Sequence, residues 1–404
     1  MDRNSLRMSA PYCAFQFGYW VDYLIAFSFG AVLLSGRGFQ PSEIGYVTTI
    51  AAILTILLQA LLSTLADRSS KVTIRGTLFC LLLGSIIASL ILLLVPRVYA
   101  VSFVCMFTIL GLVSSVQPFM VSLCLACNAA GYHINYGVAR SIGSLGYAAA
   151  GYIMGKVTEA FGAEAVLPIF AAVFTLLMIL LRLIRAPSGA AAAGENRSAE
   201  KPCRFIEFFR RYRRYDLYLA SVILIFFTQT IVNTYLIYFV EHYGGGKAEM
   251  GMMLSVCAFA EIPAVALGVT LLRKLSAGRM LRIASLCGIV KFSLMLIIPD
   301  IKWLIVLQLI HFFYTGFYSV SSVYYANSIV ERKDTIKAQG FLSIGVTGMP
   351  GILANFTGGY LLEHTSIQTI LRIGVAIAVL CFILMVIATS KLHFKGDVQE
   401  ETII

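Results

Sequence analysis

GTLFCLLLGSIIASLILLLV, residues 76–95, contains no Asp, Glu, Lys, Arg or His. Wound as a helix at 1.5 Å per residue, such a run is long enough to cross a hydrocarbon core ~30 Å thick. Runs of the same kind recur along the whole chain, at roughly 12–36, 43–65, 76–95, 99–127, 136–158, 165–185, 215–241, 250–272, 280–299, 303–327, 338–362 and 366–390. The connections are short except between the sixth and seventh runs. There the chain passes from a small-residue stretch, SGAAAAGENRSAE, into a strongly basic one, RRYRR. The expected organisation is an all-α polytopic membrane protein of twelve transmembrane helices: a six-helix half over 1–186, a cytoplasmic linker over 187–214 and a second six-helix half over 215–404.

Composition agrees with lipid as the solvent. Of 404 residues, 59% are hydrophobic and only 13% charged, whereas soluble domains carry about a quarter charged residues. A soluble fold leaves roughly 25–30% of its unfolded surface in water and could not hide this much apolar area. A water-soluble enzyme and a disordered chain are excluded on this ground. The net charge of +11 raises nucleic-acid binding, but its distribution answers it. With the N-terminus in the cytoplasm, most Lys and Arg fall on the cytoplasmic side, among them Arg68, Lys71, Arg75, Arg210, Arg211, Arg213, Arg214, Arg273 and Lys274. Arg37, Arg97, Lys156, Lys247 and Lys302 fall on the other. That asymmetry is the positive-inside rule and puts both termini in the cytoplasm of a cell with a cytoplasmic membrane. The first ten residues are too short and polar for a cleaved leader, so the first span is read as retained.

Ser141–Gly146 (SIGSLG) in the fifth span returns as Ser343–Gly348 (SIGVTG) in the eleventh, 202 residues later. The two spans are equivalent under a six-plus-six duplication, and small residues at this spacing let helix backbones approach closely in lipid. Two related halves around a central cavity is a recurrent transporter plan.

A charge at mid-bilayer costs about 2.5–3.5 kcal/mol on insertion scales, so each calls for a reason. Asp22, Arg140, Glu261, Lys291 and His311 fall well inside spans, with Gln16, Gln117, Gln229, Asn233, Gln308 and Asn355 as polar neighbours. A purely structural Glu261–Lys291 pair, a satisfied core histidine at 311 and a locally bonded Asp22 are the plain alternatives. Taken together, the five suit a proton relay working with a polar solute, since burial and ion pairing move carboxylate, His and Lys in ways that access from either side can reverse. Asn233 and Gln229 join the candidate solute-binding set. The stretch 204–214 alternates Phe and Tyr with Arg and reads as a basic amphipathic helix on the inner leaflet. Gly244–Lys247 only imitates a phosphate loop, because Glu241 replaces its first glycine and Ala248 its Ser/Thr. Cys124-x-x-Cys127 reads as packing, with no disulfide or zinc case. No cofactor or metal is expected, and no catalytic constellation.

These features resemble the major facilitator superfamily, in its branch containing lactose permease and the phenylpropionate permeases. Ser63–Lys71 (STLADRSSK) is similar to the superfamily's G-x-x-x-D-R-x-x-[RK] loop, with Ser63 for its Gly, which implies a conformational loop role for Asp67, Arg68 and Lys71. Tyr136–Tyr147 (YGVARSIGSLGY) resembles the branch's Y/F-G-x-x-R-x-x-G-S-x-G-aromatic stretch. Ala260-Glu261 resembles its A-E motif, Lys291 stands where it usually has Arg, and Leu307–His311 (LQLIH) resembles its L-Q-x-L-H motif. The resemblance implies the major facilitator fold. It also implies substrate-binding roles for Arg140, Tyr147, Glu261, Lys291 and His311, with the matching Arg holding solute and the matching aromatic stacking on it. The departures are Ser122, Tyr314 and the neutral pair Thr228 and Gln308, which stand where lactose permease has ionisable groups. Glu261 and Asp22 are then the mid-span carboxylates left to carry a proton, with His311 beside them.

The expected function is secondary active transport of a small polar or organic-anion solute (a sugar, nucleoside or aromatic acid) by alternating access, as solute/proton symport by a monomer. A proton-coupled exporter, a uniporter and a non-transporting membrane sensor are the alternatives. The missing proline of the exporters' span-five motif favours uptake, and the sensor would need an output domain that the loops do not supply.

Overall fold

The computed structural model describes residues 3–68, 73–95, 97–184 and 205–390. Among them every regular element is helical, as expected where lipid offers the backbone no hydrogen-bond partner. In chain order these are α1 (Arg3–Leu24), a π-helical turn (Ile25–Phe29) running into α2 (Gly30–Gly36), α3 (Pro41–Arg68), α4 (Ile74–Leu94), α5 (Tyr99–Ala129), α6 (Tyr136–Phe161) and α7 (Val166–Leu183). After residue 204 come α8 (Phe205–Arg211), α9 (Arg213–Thr234), α10 (Leu236–His242), α11 (Lys247–Ala266), α12 (Gly268–Lys274), α13 (Ala277–Ile297) and α14 (Ile301–Leu307). A 3₁₀ segment (Gln308–Phe312) leads to α15 (Thr315–Ser328) and α16 (Thr335–Ser343). A second π-helical turn (Ile344–Gly348) leads to α17 (Met349–His364), and α18 (Ile367–Ala388) closes the series.

Local chemistry sets several helix starts. Thr73 Oγ1 accepts from Gly76 N, Asn135 Oδ1 from Val138 N, Asp300 Oδ1 from Lys302 N and Ser366 Oγ from Thr369 N. Each satisfies an amide that the first turn would leave unpaired. Among the described residues, ten helical stretches are long and apolar enough to cross a membrane. The expected spans 136–158 and 338–362 are also helical, as α6 and as the run from α16 to α17. They fall outside that set because Arg140, Asn355 and their many Gly, Ser and Thr residues lower the hydropathy.

Close packing divides the chain into two units, one of Met1–Glu195, Thr234–Glu241 and Gly245–Ser255, the other of Asn196–Asn233, His242–Gly244 and Val256–Ile404. In the first, α1 packs on α6 and α7, and α5 on α3 and α4. In the second, α13 packs on α15 and α18. The repeat seen in the sequence reappears as packing within each unit. A Cβ on Gly143 would collide with Trp20 of α1, and one on Gly146 would lie 2.6 Å from Phe17 O. Gly345, the counterpart of Gly143, is pressed in the same way against Leu219 and Ile223 of α9. The echo is not complete, since 141–146 stays α-helical while Ile344–Gly348 is π-helical.

Residues 187–204 of the expected linker lie outside the described residues. The basic segment that follows is split by Tyr212 into α8 and the start of α9. Its aromatic face meets protein rather than lipid: Phe208 and Tyr212 are buried in the core of the second unit. Tyr212 OH donates to Asp334 Oδ2 at 2.9 Å and accepts from Glu331 N at 3.3 Å, while Arg211 pairs with Glu331. Burial, then the Asp334 carboxylate, holds the Tyr212 phenol above its ordinary range. Tyr212→Phe removes a donor from a buried carboxylate, so it should lower stability by about 1–3 kcal/mol. The measurement is the thermal midpoint in detergent. An unchanged midpoint would mean that this contact does not fasten α8.

Candidate functional site

The first unit assembles a cationic, aromatic cluster on α1 and α6. Asn135 starts α6, and one turn later Arg140 donates to Ser144 Oγ at 2.8 Å. Its guanidinium carbon lies 3.8 Å from the centre of the Trp20 ring. Trp20 comes this close because Gly143 leaves room for it. Behind the indole, Trp20 Nε1 donates to Gln16 Oε1 (3.2 Å), Gln16 Nε2 to Tyr12 OH (3.0 Å), and Tyr12 OH to Met120 O (3.0 Å). Tyr12 and Gln16 are fully buried, so Trp20 is held by a satisfied polar chain. Tyr19 and Tyr23 of α1 and Phe27 of the π-helical turn extend the aromatic surface. Tyr147 lies two turns beyond Arg140 on the same face of α6.

Asp22 is not part of this cluster. Gly18, one turn before it, faces Leu177 and Val173 of α7. Helical periodicity puts Asp22 on that side, roughly 200° round from Trp20. Its side chain is fully buried, and neither carboxylate oxygen has a hydrogen-bond partner among the described residues.

The second unit gathers Lys291, His311, Gln229 and Asn233. Lys291 Nζ, on α13, donates to Gln229 Oε1 at 3.1 Å and lies 3.0 Å from His311 Nε2. Gln229 Nε2 reaches Asn233 Oδ1 at 3.1 Å, one turn along α9. His311 sits in the 3₁₀ segment, its Nδ1 3.2 Å from Thr315 Oγ1. The Tyr314 ring lies 5.3 Å from Lys291 Nζ and edge-on to the His311 ring. Lys291 is 1% exposed and His311 4%. Next to them Cys257 Sγ donates to Gln308 Oε1 at 3.3 Å.

Glu261 stands apart from Lys291. Its Oε1 accepts from Ser319 Oγ at 2.9 Å, and no Glu261–Lys291 ion pair occurs among the described residues. The structural-pair alternative is therefore set aside. Among the described residues Ser122 bonds its own helix, at Pro118 O, and Thr228 bonds Leu224 O and Ile225 O. Asp67 and Arg68 end α3, but their side chains and all of Lys71 lie outside the described residues. Sequence reasoning missed Trp20, Tyr12, Ser144, Thr315 and Cys257. Of these, Trp20 carried a signal, one of only two tryptophans in the chain, a turn from Gln16.

These helices, and the charged groups buried in them, can be set beside known proteins. The profile of the MFS_1-like family matches residues 23–392. The chain belongs to that family. It is thus a membrane transporter of the major facilitator superfamily rather than an enzyme, with the major facilitator fold. It is 23% identical over 356 residues to the probable 3-phenylpropionic acid transporter of Escherichia coli (strain K12), covering 85% of this chain and 88% of that protein. It is 24% identical over 368 residues to the maltose permease of Geobacillus stearothermophilus, covering 86% and 88%. Among solved structures it resembles the nucleoside transporter NupG, with a TM-score of 0.78 at 16% identity over 97% of this chain and 100% of that one. A bacterial homologue of the lysosomal transporter Spinster, in an inward-facing conformation, gives 0.64 at 14% identity over 96% of each.

Proposed function

We propose that this member of the family is a solute/proton symporter of the cytoplasmic membrane, moving a small polar or organic-anion solute by alternating access of two six-helix halves. The supporting observation is a pair of cations in the expected spans, half-buried Arg140 and fully buried Lys291, each bonded to neutral partners. A purely structural role would pair a buried charge with its opposite, because an unpaired one is strongly unfavourable. Polar groups that wait for a solute have the arrangement seen here. Arg140 and Tyr147 in one half, with Lys291, His311, Gln229, Asn233 and Glu261 in the other, are the substrate-binding set. Asp22, Glu261 and His311 are the proton-coupling set. The relatives and the fold neighbour are named for an aromatic acid, a disaccharide and nucleosides, and this chain's substrate falls within those classes. The halves are 1–186 and 215–404, joined by the linker 187–214. Asp67, Arg68 and Lys71 form a conformational loop, both termini are cytoplasmic, and the working unit is a monomer.

The test is uptake into proteoliposomes with an inward proton gradient, using 3-phenylpropionate, maltose and uridine. One of these classes should accumulate against its gradient, and a protonophore should abolish the accumulation. Uptake that is indifferent to the proton gradient overturns the coupling. Glu261→Gln should remove most of the pH dependence of uptake, and a variant as pH-dependent as the wild type would take Glu261 out of the proton path.

A further inference from the structure

Lys291 occupies the acceptor nitrogen of His311. An ammonium only donates, so Nε2, 3.0 Å away, is the acceptor, and the ring hydrogen sits on Nδ1 beside Thr315 Oγ1. The other partner of the ammonium, Gln229 Oε1, is also neutral. Within the second unit, then, a cation at 1% exposure rests against two neutral acceptors. The remaining groups around the pair do not change this. From α9 come Gln229 and Asn233, from α11 the Cys257 thiol held by Gln308, and from the segment of His311 the Tyr314 ring. The one nearby carboxylate on α11, Glu261, is turned to Ser319 of α15.

We propose that Lys291 gates the protonation of His311, and that an anionic substrate releases the gate. With no substrate, the ammonium blocks Nε2. A substrate carboxylate draws the ammonium to itself through a stronger, charge-assisted hydrogen bond. Nε2 is then free to take one proton from solvent. The proton comes from a solvent hydronium ion, whose O–H bond breaks as the N–H bond forms and which leaves as water. The cluster carries one positive charge when empty, and the same net charge when it holds Lys⁺, protonated His and the bound carboxylate. Anion and proton enter together because either alone would change the charge of a buried site. The ligand class that operates this device is a monocarboxylate. A sugar or nucleoside hydroxyl competes for the ammonium no better than Gln229 does. The inference rests on the proton-coupled transport reading above and narrows its substrate class.

The experiment is calorimetric titration of the full-length protein in detergent, in buffers of different ionisation enthalpy, which reads the protons taken up per ligand bound. The probes are 3-phenylpropionate, its neutral amide, uridine and maltose. The carboxylate should bind at least about tenfold tighter than the amide, with uptake of about one proton. In His311→Gln the preference for carboxylate should persist while proton uptake falls to near zero. Lys291→Gln should lose the preference, and Lys291→Arg, which keeps the charge, should restore it. Proton uptake that survives in His311→Gln overturns the proposal. So does tightest binding of uridine or maltose without a proton. In that case, proton-driven accumulation of the same solute in vesicles would show that the transport reading stands. Binding of none of the four, with no uptake in vesicles, would sink both.

Discussion

Gly251→Leu loses transport, with uptake into proteoliposomes falling to about a tenth of the wild-type rate or less. The cause is the seam between α6 and the first half of α11, inside the first unit. A Cβ on Gly251 would run into the carbonyl oxygen of Gly151 and lie 2.7 Å from Gly155 Cα. One turn on, Ser255 Oγ donates to Ala148 O at 2.6 Å, and at the helix start Glu159 Oε2 accepts from Lys247 N at 3.1 Å. Positions 148, 151, 155 and 159 form one stripe of α6, and 247, 251 and 255 one stripe of α11. Overpacking costs about 1–3 kcal/mol where side chains can repack. Here the neighbours are backbone, so only separating the helices relieves the clash, and the cost lies at the upper end. At 1.4 kcal/mol per tenfold, that suffices to depopulate the packed state. Gly251→Ala should show the same effect more weakly, since the first carbon already collides. A leucine variant that reaches the membrane and transports at the wild-type rate would show that transport does not pass through this seam.

The legible part of the molecule is the part written in solvent preference. Residues 76–95 announce a span without reference to any other segment, and Arg140, Lys291 and His311 stand out because lipid makes each of them expensive. What could not be read is which way each side chain turns and whom it meets. Trp20 in an apolar helix looks like any core aromatic. Its place on Arg140 depends on the room left by Gly143, more than 120 residues away. Glu261 and Lys291 fall at depths that permit a pair, yet their helices present Glu261 to Ser319 and Lys291 to His311. Depth alone groups Asp22 with the other charges. The orientation of Gly18 sends it to α7. Asp334 reads as one more polar loop residue, and only the fold makes it the buried partner of Tyr212.

Arg140→Ala should weaken substrate binding by about ten- to a hundredfold, the loss of one charge-assisted hydrogen bond worth about 1.5–3 kcal/mol. The geometry allows the effect to be read at the site itself. The chain has two tryptophans, and Trp303 is 59% exposed, so in a Trp303→Phe background all indole emission comes from Trp20. With the guanidinium 3.8 Å from the ring centre, a ligand that engages Arg140 alters the field on Trp20 and shifts its emission. Arg140→Ala should remove both that shift and the tight binding. Arg140→Lys should keep part of the binding, since the charge remains while the flat stacking on the indole is lost. The folding cost should stay small, because the chain from Trp20 through Gln16 and Tyr12 to Met120 O does not pass through residue 140. A ligand that binds the alanine variant as tightly as the wild type, with the same emission shift, would remove Arg140 from the site and leave Lys291 as the cation that recognises the substrate.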